Sequence, residues 1–111
     1  KYFENLGYKT VKYGKIHGPK DKDIDLMLKK GKEFIFVQCK DLDIKNKYRI
    51  DSKEIQYTRM NVRDYIENTK ALFDMYEWKI FYITSDNILD KSAEHKINRH
   101  REEIEHQVIK I

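Results

Sequence analysis

The segment DIDLMLKKGKEFIFVQCK, residues 23–40, decides the fold class. It contains two apolar runs of strand length, 23–29 and 33–40, joined by a tight turn around Lys30-Gly31. This pattern predicts a β-hairpin. Both runs also contain polar residues at positions where a buried strand is expected to be apolar, namely Asp25 in the first run and Gln38 and Lys40 in the second.

Strand alternation predicts where these polar residues lie, because successive side chains point to opposite faces of a strand. Asp25 shares its face with Asp23 and Met27, and Gln38 shares its face with Lys40. When the two strands pair as a hairpin, the apolar residues line up on one face. Asp25, Gln38 and Lys40 are then expected to converge on the other face, near the open end of the hairpin.

The rest of the chain predicts alternating helices and strands around this hairpin. We predict a helix end closed by Gly7, a strand at 8–14, a helix opened by a capping box at Asp51 and Glu54, a strand at 78–84, a helix at 90–103 capped by Asp90, and a strand at 106–111. A stripe at helical period is interpreted as core packing; its residues are Val62, Tyr65, Ile66, Thr69, Leu72, Phe73 and Tyr76. The order α-β-β-β-α-β-α-β predicts an α/β fold with a mixed sheet of about five strands and helices on both faces.

Length and composition indicate one globular domain covering residues 1–111. The longest apolar runs, FIFV and IFYI, are too short to span a membrane. The single cysteine excludes an internal disulfide, which fits a cytoplasmic location. No signal peptide is visible, and the absence of an initiator methionine predicts that this is a fragment of a longer protein with further domains.

The positive charge is concentrated in the first half of the chain. Residues 1–50 contain 13 Lys and Arg against 7 Asp and Glu, a net charge of +6, whereas residues 51–111 have a net charge of −2. A basic region attracts phosphate backbones, although a lysine-rich solvated surface would have the same composition. Within this half, the segment KNKYRI (45–50) combines Lys45, Lys47 and Arg49 with Tyr48 and is a candidate for DNA contact.

The three converging residues are chemically suited to a metal site. A carboxylate, an amide oxygen and a nearby main-chain carbonyl are hard oxygen ligands, which suit Mg²⁺ or Mn²⁺. A lysine beside such a cation can activate water or neutralise charge developing on a phosphate. The alternative is a strand end whose polar residues face solvent, and spacing by itself leaves both interpretations open.

The chain resembles a known family at these residues. An Asp followed by Gln-x-Lys on the adjacent strand is similar to the PD-(D/E)XK nuclease site, and VQCK (37–40) resembles the variant found in Mrr-type restriction endonuclease domains. The segments LGYKTV, DIDLML, FVQCK, KIFYITS and KSAEHK follow the order of that family across nearly the whole chain. The resemblance implies a restriction-endonuclease-like fold and metal-dependent hydrolysis of DNA phosphodiesters in restriction or repair.

The resemblance also implies a role for each site residue. Asp25 is expected to be the metal-binding acid, Gln38 the middle position of the motif and Lys40 the catalytic lysine. The main-chain carbonyl of Cys39 is expected to complete the metal ligands, with Asp23 as a candidate second acid. The expected cofactor is Mg²⁺ or Mn²⁺, and the expected partners are DNA and a second copy of the chain in a homodimer.

Other candidate sites are set aside. His95 and His100 are five residues apart, which places them on different faces of a helix and argues against zinc. His17 is interpreted as a solvated loop residue, and Cys39 as a buried packing thiol. A catalytically weak DNA-binding module of the same fold remains the alternative function, followed by a structural interaction domain.

The charge distribution predicts salt-dependent DNA binding. Affinity is expected to fall steeply with salt, because each phosphate contact releases counterions. Replacing Lys45, Lys47 and Arg49 together with alanine should flatten the slope of log affinity against log salt by about one for each phosphate contact removed. A salt titration followed by fluorescence anisotropy checks this, and a salt-independent affinity would favour the structural module.

Overall fold

The computed structural model describes residues 2–13, 26–40, 49–68 and 76–109, with side chains for all of these except residues 11–13. In chain order, the elements are α1 (Tyr2–Asn5), β1 (Lys9–Tyr13), β2 (Leu26–Lys30), β3 (Glu33–Lys40), α2 (Ser52–Asn68), β4 (Glu77–Thr84), α3 (Lys91–Arg99) and β5 (Ile104–Val108). This is the predicted order of helices and strands, so the α/β fold class with a mixed five-stranded sheet is confirmed.

The five strands lie in the sheet in the order in which they occur in the chain. The pairs β1–β2 and β2–β3 are antiparallel, whereas β3–β4 and β4–β5 are parallel. Strands β3, β4 and β5 therefore end at the same edge of the sheet, and β2 begins there, because Leu26 pairs with Val37. We call this the carboxyl edge.

The β2–β3 hairpin is closed by a two-residue turn. Lys30 pairs with Glu33, so Gly31 and Lys32 form the turn. Gly31 has a φ of +62°, in the left-handed region that glycine adopts without a steric penalty. The glycine thereby fixes the register that brings the start of β2 against the end of β3.

The sheet is buried on both faces. On the α2 face, side chains of the strands pack with α2 and α3; this core includes Met27, Phe34, Phe36, Ile80, Tyr82, Ile104, Ile55, Val62, Ala93 and Ile97. On the opposite α1 face, the core includes Leu28, Ile35, Val37, Phe81 and Ile83, with Phe3 and Tyr8 packed against it. Helices thus cover both faces, as predicted.

This arrangement shows how deeply the hairpin is buried. The face that carries Gln38 and Lys40 also carries Met27, Phe34 and Phe36, as strand alternation predicts, and these three residues belong to the larger core. The reason is that β3 has a strand on each side and helices on both faces, so both of its side-chain rows are buried. Gln38 is therefore a polar residue at the rim of a core, with 1% of its surface exposed.

The N-termini of α2 and α3 are capped and joined to each other. Asp51 accepts hydrogen bonds from the main-chain N–H groups of Lys53 and Glu54, and Asp90 accepts one from Ala93. Both caps were predicted. A parallel bridge between Ile50 and Leu89 precedes the two helices, and the Ser92 hydroxyl accepts a hydrogen bond from the main-chain N–H of Ser52.

Several predicted boundaries differ from the structure. The helix predicted for 90–103 ends at Arg99, because the N–H of His100 closes it on Ile97 and Lys96, and a turn follows. The last strand begins two residues early, at Ile104, and ends at Val108. Residues 23–25, and Thr69, Leu72 and Phe73 of the predicted helical stripe, lie outside the described residues.

A buried ion pair connects α2 to the start of β5. Arg59 is 6% exposed and donates from Nε and Nη2 to Glu103 Oε2, at 3.0 and 2.6 Å. Its Nη1 donates to Gln56, and Arg63 also pairs with Glu103. Burial of Glu103 taken alone would raise its pKa, but the hydrogen bonds and charges of the two arginines together outweigh burial and lower it.

Removal of Glu103 should destabilise the fold. The Glu103→Ala variant leaves the Arg59 guanidinium buried without its carboxylate, so we expect the free energy of unfolding to fall by about 3 kcal/mol. The matched control is Glu105→Ala, which breaks a more exposed pair with Lys79 and should cost at most about 1 kcal/mol. Urea denaturation at neutral pH measures both, and equal losses would contradict the role of Glu103.

Candidate active site at the carboxyl edge

Gln38 and Lys40 lie at the end of β3 and on the same face of the sheet. Gln38 is buried, and its Oε1 atom accepts no hydrogen bond from the part of the chain that the structure describes. Lys40 is partly exposed at the last position of the strand. The carboxyl edge therefore presents a desolvated neutral oxygen and a cationic side chain two residues apart.

The side-chain amide oxygen of Gln38, Oε1, is an unusual group in a folded core because it is buried and accepts no hydrogen bond from the described residues. A buried acceptor without a donor costs about 1–3 kcal/mol, and native structures contain few of them. Oxygen from an amide is a suitable ligand for a hard divalent cation. The donor chemistry of the position thus fits a magnesium or manganese ion, and this was the role predicted from the sequence.

Asp25 and Asp23, the predicted acidic ligands, lie outside the described residues, and their role stays a prediction. The first described residue of β2 is Leu26, which pairs with Val37, the residue before Gln38. The start of β2 therefore lies beside the end of β3.

Cys39 does not match its expected environment. Its side chain is exposed, so the prediction of a buried packing thiol was wrong. The reason is the limited coverage of the α1 face: Phe3 and Tyr8 pack on Phe81, which pairs with Val37, and Cys39 lies two positions further along β3. The proposed metal ligand is the main-chain carbonyl of this residue, and it stays a prediction.

The predicted DNA-contact segment is described in part. Lys45, Lys47 and Tyr48 lie outside the described residues, and Arg49 is exposed. Arg49 directly precedes Ile50, whose main-chain N–H donates to the carbonyl of Ile88 in the connection after β4. That connection follows the end of β4, so Arg49 lies at the carboxyl edge, as Lys40 does.

Two polar residues that sequence reasoning did not single out also lie at this edge. Thr84, at the end of β4, pairs with Lys40 in the parallel register, and its Oγ1 lies 2.8 Å from Nε2 of His106 on β5. Burial lowers the pKa of His106, and the charge of Glu94 opposes this effect. A polar residue at the end of a buried strand was the available signal, as it was for Gln38.

The two longer helices also direct their N-termini toward the carboxyl edge. Each connects parallel strands, so each must run back against the strand direction. The N-terminal turn of a helix carries a partial positive charge. Asp51 and Asp90 cap these two N-termini and offset this charge, so the positive charge of the described part of the edge comes from Lys40 and Arg49.

No group of three or more histidine, cysteine or acidic side chains suitable for a metal ion occurs within residues 2–13, 26–40, 49–68 and 76–109. His95 is exposed and His100 partly buried. In the same ranges, no helix is long and apolar enough to cross a membrane.

Comparison with known proteins gave one informative result. A family model described as "Restriction endonuclease", of the Mrr catalytic type, matches residues 1–105, from α1 into β5. No curated protein matches the chain.

Removal of the unpaired side-chain oxygen of Gln38 should stabilise the fold. We expect Gln38→Met, which keeps the length of the side chain, to raise the free energy of unfolding by about 1 kcal/mol in the presence of EDTA. The control is Gln107→Met. Gln107 donates a hydrogen bond to Glu105, so its replacement should not raise the free energy of unfolding. Urea denaturation measures both; a large loss of stability in Gln38→Met would show that the amide is a structural requirement.

Proposed function

Because the chain belongs to the restriction endonuclease family, which makes it a nuclease domain, we propose that it hydrolyses phosphodiester bonds in DNA with a divalent cation, Mg²⁺ or Mn²⁺. The observation that carries this proposal is the buried, unpartnered Gln38 Oε1 beside Lys40 at the carboxyl edge. A buried acceptor without a donor lowers the stability of the fold, and such groups are expected at functional sites rather than in a purely structural domain.

The cation would be held by the Asp25 carboxylate, Gln38 Oε1 and the main-chain carbonyl of Cys39, with Asp23 as a second acid. All of these are oxygen donors, as Mg²⁺ requires. When bound, a divalent cation supplies Lewis-acid polarisation of a phosphoryl oxygen. Gln38 and the main-chain carbonyl are neutral, so all of the formal negative charge of these ligands comes from Asp25 and Asp23. Weak binding of the cation follows, and Gln38→Glu should strengthen it.

Lys40 acts on the phosphate itself in this proposal. Hydrolysis places additional negative charge on the phosphoryl oxygens in the pentavalent transition state, and an ammonium group held at that position stabilises it. The alternative role is to accept a proton from the attacking water as a general base. Both roles make Lys40 necessary for the chemical step and dispensable for binding DNA.

DNA binding would use the basic first half of the chain. Lys45, Lys47 and Arg49 supply positive charge next to the site, and Tyr48 supplies an aromatic surface for stacking. Phosphate contacts of this kind position the duplex and carry little sequence information.

Plasmid nicking with Mg²⁺ or Mn²⁺ tests the proposal. We expect nicking by the wild type, loss of nicking in Asp25→Ala and in Lys40→Ala, and DNA affinity of Lys40→Ala within about 2-fold of the wild type. Mn²⁺ titration should show a site that is lost in Asp25→Asn. DNA binding by the wild type without nicking would instead support the catalytically weak binding module, and wild-type nicking by Lys40→Ala would exclude this site.

A further inference from the structure

The hydroxyl of Thr84 occupies a defined position in a hydrogen-bond chain. Thr84 is fully buried, and its Oγ1 lies 2.6 Å from the main-chain oxygen of Asp86 and 2.8 Å from Nε2 of His106. A hydroxyl has a single hydrogen, and a main-chain oxygen can only accept. Thr84 therefore donates to Asp86, and His106 must carry a hydrogen on Nε2 and donate it to Thr84.

The burial of His106 agrees with a neutral ring in this arrangement. Removal from water lowers its pKa, with the Glu94 carboxylate opposing this effect. A neutral ring with its hydrogen on Nε2 has a lone pair on Nδ1. The hydrogen bond to Thr84 thus selects one tautomer of His106.

The register places this pair next to the proposed catalytic residues. Thr84 pairs with Lys40 across the parallel strands β3 and β4, and neighbouring strands are about 4.8 Å apart. His106 pairs with Tyr82, which in turn pairs with Gln38. Residues that pair in this register lie on the same face of the sheet. Thr84 is therefore between Lys40 on one side and His106 on the other.

We propose that Thr84 and His106 are positioning residues for Lys40 in phosphodiester hydrolysis. Two hydrogen bonds fix the orientation of the Thr84 hydroxyl, which leaves one acceptor lone pair for the ammonium group of the neighbouring strand. This lone pair restricts Lys40 to the conformation that reaches the phosphate. The inference rests on the proposed nuclease function and extends the site from the hairpin to β4 and β5.

The test uses pairs of variants that differ in one hydrogen-bonding group. Thr84→Val removes the hydroxyl at nearly constant volume, and Thr84→Ser retains it. His106→Leu removes the donor, and His106→Gln keeps an N–H donor at the position of Nε2. We expect Thr84→Val and His106→Leu to lower kcat about 10-fold, a typical effect of losing a supporting hydrogen bond. KM and DNA affinity should stay within about 2-fold, and Thr84→Ser and His106→Gln should restore most of kcat.

The outcomes separate this inference from the proposed function. Absence of wild-type cleavage, or full cleavage by Lys40→Ala, overturns both. Loss of cleavage in Lys40→Ala together with wild-type kcat in Thr84→Val and His106→Leu overturns the inference alone.

Two further measurements do not depend on activity. A long-range ¹H–¹⁵N spectrum should show the His106 hydrogen on Nε2, and a hydrogen on Nδ1 would contradict the arrangement. Thermal melts of all four variants identify a structural role: if Thr84→Val and His106→Leu lose kcat only in proportion to their loss of folded protein, they do not position Lys40.

Discussion

Strand β3 makes antiparallel hydrogen bonds with β2 on one side and parallel hydrogen bonds with β4 on the other. This change of direction brings together groups that are far apart in the chain. The antiparallel side places the start of β2 at the end of β3, and the parallel side places the end of β4 there. The β3–α2–β4 crossover then requires the N-terminus of α2 to lie at the same edge. Burial of β3 on both faces fixes this register, since a shift of one residue would reverse every side chain.

The parts of the site that could be predicted from the sequence depend on local geometry. Alternation within a strand and a glycine turn are sufficient to place Gln38 and Lys40 on one face, and to bring the start of β2 against them. The caps Asp51 and Asp90 are equally local, because each binds main-chain N–H groups within three residues. These features need no knowledge of the rest of the fold.

The parts that could not be predicted depend on long-range packing. The contact between Thr84 and His106 exists because β4 and β5 pair, and the 21 intervening residues contain no signal for that register. The exposure of Cys39 depends on how far α1 covers the sheet. The early end of α3 was also missed: the helix closes at His100, and Glu103 in the turn that follows pairs with Arg59 and Arg63 of α2, which are distant in the chain.

The position of the buried Arg59–Glu103 pair has a consequence for the evolution of such a domain. Glu103 directly precedes β5, at the end of the sheet opposite to Lys40 and Thr84. Substitutions at the carboxyl edge therefore leave this stabilising contact intact, and the change at Gln38 is expected to add stability. A lineage that replaced Lys40 would keep this contact and therefore the fold. The residues of the carboxyl edge can thus change while the stability of the domain is retained.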